Sequence, residues 1–329
     1  SDKYLFVNNK HYRGEELASF IIKELINYAR NYLGEEITGA IIAVPTFFNN
    51  FQRQAIKLAG ELAGVKVHRL INDPVAAALG YSCRHKEEKN FMIFDLGGGI
   101  LEISLVATYG DTIEVLSSDR DEHLGGDNFT ESIAEYFCSV NAIDRSTLTS
   151  KEEEMLLRKC EEIKILSDHK YGEITIWLRK KSYTLNINEK LLMKAYAECF
   201  SRIEKTVVRS VKSSKIPLES IKDIIMVGGG SKAPIIKSFI TQFTGITPIT
   251  PLNPEEIVAI GAGTIAGIAE GNPNLRDIVI KDICPFSIGI NAYNEGKPEN
   301  DIFTSIIDRN TTLPCSKVRS FTTTMDNQK

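Results

Sequence analysis

Phe91-Met92-Ile93-Phe94-Asp95-Leu96-Gly97-Gly98-Gly99-Ile100-Leu101-Glu102-Ile103-Ser104-Leu105-Val106 decides how this chain folds. Two short apolar runs flank an acid and three glycines, which predicts two buried strands joined by a tight turn. Three successive residues without Cβ predict either positive φ or another backbone at close range. They also leave bare N–H groups able to form an anion-binding concavity, and Asp95 at the strand end can hold a hydrated Mg²⁺ beside the anion. A nucleoside triphosphate needs both. The plain alternative is a hairpin whose aspartate bonds only its own turn, because a two-residue turn needs no more than one or two glycines.

A second glycine turn shifts the balance toward phosphate. Asp223-Ile224-Ile225-Met226-Val227-Gly228-Gly229-Gly230-Ser231-Lys232-Ala233-Pro234-Ile235-Ile236-Lys237 reads as strand, turn and helix, with Pro234 near the first helical turn. Glycine amides and a positive helix end then meet at one point, so a ligand is held from two sides. No G-x-x-x-x-G-K-[ST] occurs, which excludes a P-loop, and no G-x-G-x-x-G opens a helix after a strand, which leaves a dinucleotide fold poorly supported.

At 329 residues, 43% hydrophobic and 25% charged, the chain suits two domains or one large two-lobed one with a sizeable core. A net charge of −4 argues against a nucleic-acid partner, and Arg179-Lys180-Lys181 reads as a solvated hairpin tip. The six cysteines, at 83, 138, 160, 199, 284 and 315, form no C-x-x-C and predict reduced thiols in a cytoplasmic protein. No apolar run approaches the ~20 residues of a membrane span, and Ser1-Asp2-Lys3-Tyr4 does not open a secretory signal.

Periodicity predicts helices over Gly14 to Leu33 and about Asn50 to Ala63, strands over Ala40 to Val44 and Val67 to Ile71, and a short helix opened by Asp73-Pro74. Beyond the Asp95 hairpin come a strand over Thr112 to Ser117, a helix capped by Gly125-Gly126-Asp127, and a charged helix over Lys151 to Leu166. A hairpin (Glu173 to Leu178, Ser182 to Ile187) precedes one long helix from Asn188 to about Ser213. After the Val227 strand, helices are expected over Ala233 to Phe243 and Pro254 to Ala269, then a new all-β unit from near Cys284.

Six segments in order carry a family resemblance: Ala43-Val44-Pro45-Thr46-Phe47-Phe48-Asn49, Arg69-Leu70-Ile71-Asn72-Asp73-Pro74, the Asp95 hairpin, His123-Leu124-Gly125-Gly126-Asp127-Asn128-Phe129, the Val227-Gly228-Gly229 turn and Asn253-Pro254-Glu255-Glu256. The chain resembles the seventy-kilodalton heat-shock proteins, the DnaK-type chaperones, over essentially its whole length. Within them it looks closest to the specialised bacterial branch called HscC. The resemblance implies an α/β, two-lobed actin-like ATPase fold over 1–276, an interdomain linker over 277–282, and over 283–329 the first strands of a β-sandwich that grips peptide. It further implies ATP or ADP with Mg²⁺ in the cleft, client polypeptides, a J-domain co-chaperone and an exchange factor as partners, and no nucleic acid or membrane. The rival readings are a nucleotide-binding regulatory module without hydrolysis and a small-molecule kinase of the same superfamily.

Roles follow residue by residue from the same resemblance. Asp95 matches the acid that binds the magnesium-water shell, Asp73 stands for a glutamate near the attacking water, and Glu102 stands for an aspartate. Gly97, Gly98 and Gly99 match a phosphate loop, joined by Gly125 and Gly126. Glu161, Lys164 and Ser167 match the helix that touches ribose and adenine, while Gly228, Gly229, Gly230, Lys232 and Glu255 match the opposite side of the nucleoside pocket. Pro45 and Arg53 match positions that pass the nucleotide state to the linker. Ile100 replaces a threonine near the γ-phosphate, which implies slower or differently controlled hydrolysis. Lys232 replaces an adenine-stacking arginine, and a lysine supplies no planar stack. Lys281 interrupts the linker's usual apolar run. The family's first phosphate hairpin and catalytic lysine lie upstream of anything matched, so the chain reads as an internal piece that hydrolyses little ATP by itself.

Overall fold

Of the two apolar runs around Asp95, Phe91 to Phe94 carries no polar residue, as suits a sheet covered on both faces, while Leu101 to Leu105 alternates with the buried Glu102 and Ser104. In the computed structural model they are the antiparallel strands Lys89–Leu96 and Leu101–Tyr109. The structure describes residues 4–82, 87–166, 172–178, 181–273, 275, 278–292 and 302–322. The pair lies inside a six-stranded sheet ordered Ile221–Val227, Lys89–Leu96, Leu101–Tyr109, Thr112–Asp121, Val279–Ile283, Thr312–Leu313. Ile221–Val227 runs parallel to Lys89–Leu96 and Val279–Ile283 parallel to Thr112–Asp121, while the other neighbours are antiparallel.

Alternate residues feed two cores. Met92, Phe94 and Leu96 enter one with Phe129, Phe137 and Phe239, and Phe91 and Ile93 enter the other with Val75, Leu79 and Ile257. Each such side chain, taken fully out of water, stabilises the fold by roughly 1.5–3 kcal/mol. The first face is covered by the helices Gly126–Val140, Ala197–Ser214 and Pro234–Thr244, the second by Asp73–Ser82 and Ile257–Ala269. A separate parallel pair, Gly39–Val44 with Lys66–Asn72, is joined through the helix Asn50–Leu62 and delivers Asp73 to the start of its helix.

The helices Asp73–Ser82 and Ile257–Ala269 meet through small residues. A methyl group on Gly261 would lie 1.7 Å from the carbonyl oxygen of Ala76, and one on Gly80 would lie 2.5 Å from that of Ile257. Backbone cannot swing aside as a long side chain can, so Gly261→Ala forces the two helices apart. We expect a loss of about 3 kcal/mol and a fall in Tm of about 5 °C or more, measured by thermal melting. An unchanged Tm would mean that this contact does not hold the second core together.

Most expected elements appear with boundaries shifted by one to three residues. The long helix expected from Asn188 is instead two, Glu189–Ala195 and Ala197–Ser214, divided at Tyr196 with ψ 5°. Tyr196 is buried there, edge-on to Phe129 at 4.8 Å and to Phe200 at 5.9 Å, and the bonds from Tyr196 N to Leu192 O and from Phe200 N to Tyr196 O run through the division. The β-rich tail forms the antiparallel pair Ile288–Ala292 with Ile302–Ile307, but Thr312–Leu313 returns to the main sheet beside Val279–Ile283. Arg179, Lys180, Cys83 and Asp277 lie outside the described residues. Among the described residues no helix is long and apolar enough to cross a membrane.

Candidate functional site

One row across the sheet carries the chemistry. Val227, Asp95, Glu102 and Arg120 are successive register partners on four neighbouring strands, so Asp95 and Glu102 are forced side by side. Asp73, first residue of its helix, joins them: its carboxyl is pushed up to about 8 by burial and by the charges of Asp95 and Glu102, with Arg53 opposing. Burial and Glu102 push Asp95 up to about 7. Burial also raises Glu102, against the hydrogen bond from the Ser118 hydroxyl at 2.8 Å and the nearby Arg120 charge. Among the described residues no three acids lie close enough to grip a bare metal ion together, so a cation relieving this row would sit behind its own water shell, which suits hydrated Mg²⁺.

The three glycine turns converge on this row. The carbonyl of Gly97 accepts from the Gly126 amide at 2.9 Å and that of Gly98 from the Asp127 amide at 2.8 Å. A trans peptide points its N–H away from its own carbonyl, so the Gly98 and Gly99 amides face away from that helix. Among the described residues no protein acceptor meets them, and bare adjacent amides make an anion nest. None of Gly97, Gly98 and Gly99 has positive φ. The close approach comes instead from Gly125, where a Cβ would lie 2.3 Å from both Gly98 O and Gly99 N. On the other flank, Gly228 has φ 81° and a Cβ there would sit 2.4 Å from Leu96 O and 2.8 Å from Asp95 Oδ1. A Cβ on Gly230 would reach Leu96 O at 2.9 Å and Gly97 O at 3.1 Å.

The side chains expected at the nucleoside are tied to one another. Lys164 donates to Gly126 O at 2.9 Å and Thr130 Oγ1 at 3.0 Å and pairs with Glu161 at 2.5 Å, so it braces the start of the helix that cradles Gly97 and Gly98. Glu161 is held below the usual carboxylate range by Lys164 and Thr130, against burial, which acts the other way. Lys232 pairs with Glu255 at 2.5 Å, and a Cβ on Gly229 would lie 2.9 Å from Glu255 Oε1. Ile100 stands 41% exposed beside the triple-glycine turn. Ser167 lies outside the described residues.

Several contacts were not visible in the sequence. Arg53 donates to Thr46 O at 3.0 Å, Phe48 O at 2.9 Å and Asn72 Oδ1 at 2.7 Å, and Asn72 in turn donates to Asp282 Oδ2 at 2.7 Å. Ser118 serves both ends of the molecule: its hydroxyl holds Glu102, while its carbonyl accepts from Arg309 at 2.7 Å and its amide donates to Asn310 at 3.3 Å. The guanidinium groups of Arg120 and Arg309 lie over the Phe47 ring at 4.4 and 5.1 Å. Arg120 and Ser118 follow from the register opposite Glu102 and Ser104, but Asn72 and Asp282 are 210 positions apart and carry no local signal.

Comparison with known proteins agrees with this geometry. The family model described as Hsp70 protein matches residues 2–329. A "Chaperone protein dnaK" of Gracilaria tenuistipitata var. liui is 34% identical over 330 aligned positions, covering 97% of this chain and 52% of that protein. A protein of the same description from Phaeodactylum tricornutum (strain CCAP 1055/1) is 33% identical over 337 positions, with the same coverages. The chain thus spans about half the length of the curated relatives it matches. With a mixed sheet, converging glycine turns and a match from end to end, the chain belongs to the Hsp70 family, whose nucleotide-binding region has the α/β, two-lobed actin-like ATPase fold.

Proposed function

We propose that the protein is an ATP-dependent chaperone of the DnaK type. Mg-ATP or Mg-ADP binds over the Gly97–Gly99 turn, and hydrolysis of the ATP is coupled to gripping and releasing unfolded polypeptide. The convergence of three glycine turns on the Asp95, Glu102 and Asp73 carboxyl groups carries this reading. In it the Gly98 and Gly99 amides cradle phosphate. Asp95 would hold the water shell of the metal, and Asp95 and Asp73 would orient metal and water, with Glu102 beside them. Gly125 and Gly126 fix the turn with Lys164 and Glu161 behind them, and Lys232 with Glu255 borders the nucleoside. Residues 1–276 form the nucleotide-binding region, 277–282 the connection, and 283–329 the start of the peptide-binding β unit. The chain Arg53, Asn72, Asp282 supports the coupling, because it joins the strand before Asp73 to the strand that leads into the β unit. J-domain and exchange partners fit the same cycle.

Titration calorimetry with ADP and a nonhydrolysable ATP analogue, with and without Mg²⁺, tests binding. Steady-state phosphate release with and without an unfolded polypeptide tests turnover. We expect Mg²⁺-dependent affinity for both nucleotides, little phosphate release from residues 1–329 alone, and polypeptide-stimulated release from a chain extended to the length of its relatives. No uptake of either nucleotide at about 1 mM would overturn the reading, and tight binding without turnover in the extended chain would convert it to a regulatory module.

A further inference from the structure

The strand Val279–Ile283 joins the sheet through few backbone pairs. Val279, Ile280 and Lys281 pair with Thr112, Ile113 and Glu114, and the Val279 amide donates to Asp111 O at 2.9 Å. Its apolar hold is thin at the Val279 end, where Ile280 is only partly buried against the core and Val279 is 54% exposed, while Ile283 at the other end is buried in that core and pairs with Thr312. Lys281 supplies what the apolar residues do not. Its ammonium group donates to the Tyr109 hydroxyl at 2.7 Å, stands 5.2 Å from the centre of that ring and lies 3.8 Å from Glu114 Oε2. Tyr109 in turn donates to Glu114 at 2.5 Å, and Thr312 on the strand's other side donates to the same carboxylate at 3.4 Å. Ammonium, phenol and carboxylate thus form one chain that ties the strand to the hairpin end at Tyr109 and Thr112.

We propose that Lys281 is a charge latch: its contacts with Tyr109 and Glu114 hold the Val279–Ile283 strand on the sheet and make its docking depend on ionic strength. The latch rests on the reading of 277–282 as the connection to the β unit. Charges at the surface are screened within about 10 Å at ~0.1 M salt and within about 3 Å at ~1 M, so salt weakens this hold where it would leave an apolar one intact. Dissociation of the strand would also release Asp282 from Asn72, which lies next to Asp73.

Hydrogen exchange at the amides of 279–283 in the full chain tests the proposal. Raising NaCl from about 0.05 to about 1 M should speed exchange there roughly two- to five-fold, and Lys281→Leu should remove most of that salt dependence. Lys281→Glu should open the strand at low salt, and the swap Lys281→Glu with Glu114→Lys should restore protection. Tyr109→Phe, which keeps the ring and removes the hydroxyl, should weaken the latch without unfolding the hairpin. Unchanged salt dependence in Lys281→Leu, or a swap that protects no better than Lys281→Glu alone, would overturn the latch. Exchange at 279–283 that responds to salt but is identical in ADP and ATP would sink the reading as a connection and leave the latch standing.

Discussion

Gly125→Ala is expected to weaken Mg-nucleotide binding by about 100-fold or more, from a change that adds one methyl group and touches no charge. The φ of Gly125 is −157°, ordinary extended backbone, so alanine meets no conformational penalty there. The obstacle is space: the methyl carbon would fall 2.3 Å from Gly98 O, 2.3 Å from Gly99 N and 2.4 Å from Gly98 C. All three are backbone atoms of the turn that presents the bare amides, so relief requires that turn to move by about an ångström, a displacement that costs on the order of 10²-fold where groups must be placed for phosphate. Gly98→Ala is the matched control, because no protein atom lies within 4 Å of its added carbon. It should leave Tm unchanged to within about 1 °C, and any loss of affinity it causes would report on the ligand itself rather than on the fold. Calorimetric titration of both variants with ADP and Mg²⁺ decides the matter. A Gly125→Ala protein with native affinity would show that the turn is not the phosphate site.

That contrast shows which parts of the site could be read along the chain. The strands around Asp95 were legible because short runs as apolar as Phe91 to Phe94 have few homes other than a sheet covered on both faces, and Phe91 and Met92 do enter opposite cores. The helix start at Asp73 was legible from an acid followed by proline. The purpose of the triple glycine was only half legible. Its turn needs no positive φ, and the glycine demanded by crowding is Gly125, whose neighbour in space is nearly thirty positions away in sequence. Lys164 matches a nucleoside contact by resemblance, yet its ammonium group is occupied by Gly126 O, Thr130 and Glu161, because the helix that carries it packs against the start of the next. The break at Tyr196 escaped the helical periodicity, which runs through it without a glycine or proline. Tyr196 packs edge-on to Phe200, one turn further on, and to Phe129, and only the second of these lies beyond the local sequence.

Asp95→Asn should move stability and function in opposite directions. Asp95 and Asp73 titrate near 7 and 8, well above carboxyl groups in an unfolded chain at about 4. Between about pH 4 and 8 the native protein therefore holds protons that the unfolded chain has released, and its stability falls as pH rises through that window. An amide at position 95 keeps the shape and removes one charge from the row shared with Glu102 and Asp73. The metal-free variant should melt higher than the wild type at pH 8, by several degrees, with the two curves drawing together at pH 5, where the wild-type carboxyl groups are already neutral. The same change removes the acceptor proposed to hold the water shell of Mg²⁺, and losses at such outer contacts run to about 10- to 100-fold in affinity. Calorimetry should accordingly show the Mg²⁺-dependent part of nucleotide affinity reduced by that factor, with the metal-independent part retained by the Gly98 and Gly99 amides. If the variant were no more stable at pH 8, the acid row would not be under electrostatic strain. If it kept full Mg²⁺ dependence, the cation would be held elsewhere. The combination of a more stable fold and a weaker metal response follows when the strain among the Asp95, Glu102 and Asp73 carboxyl groups is the same interaction that a cation relieves.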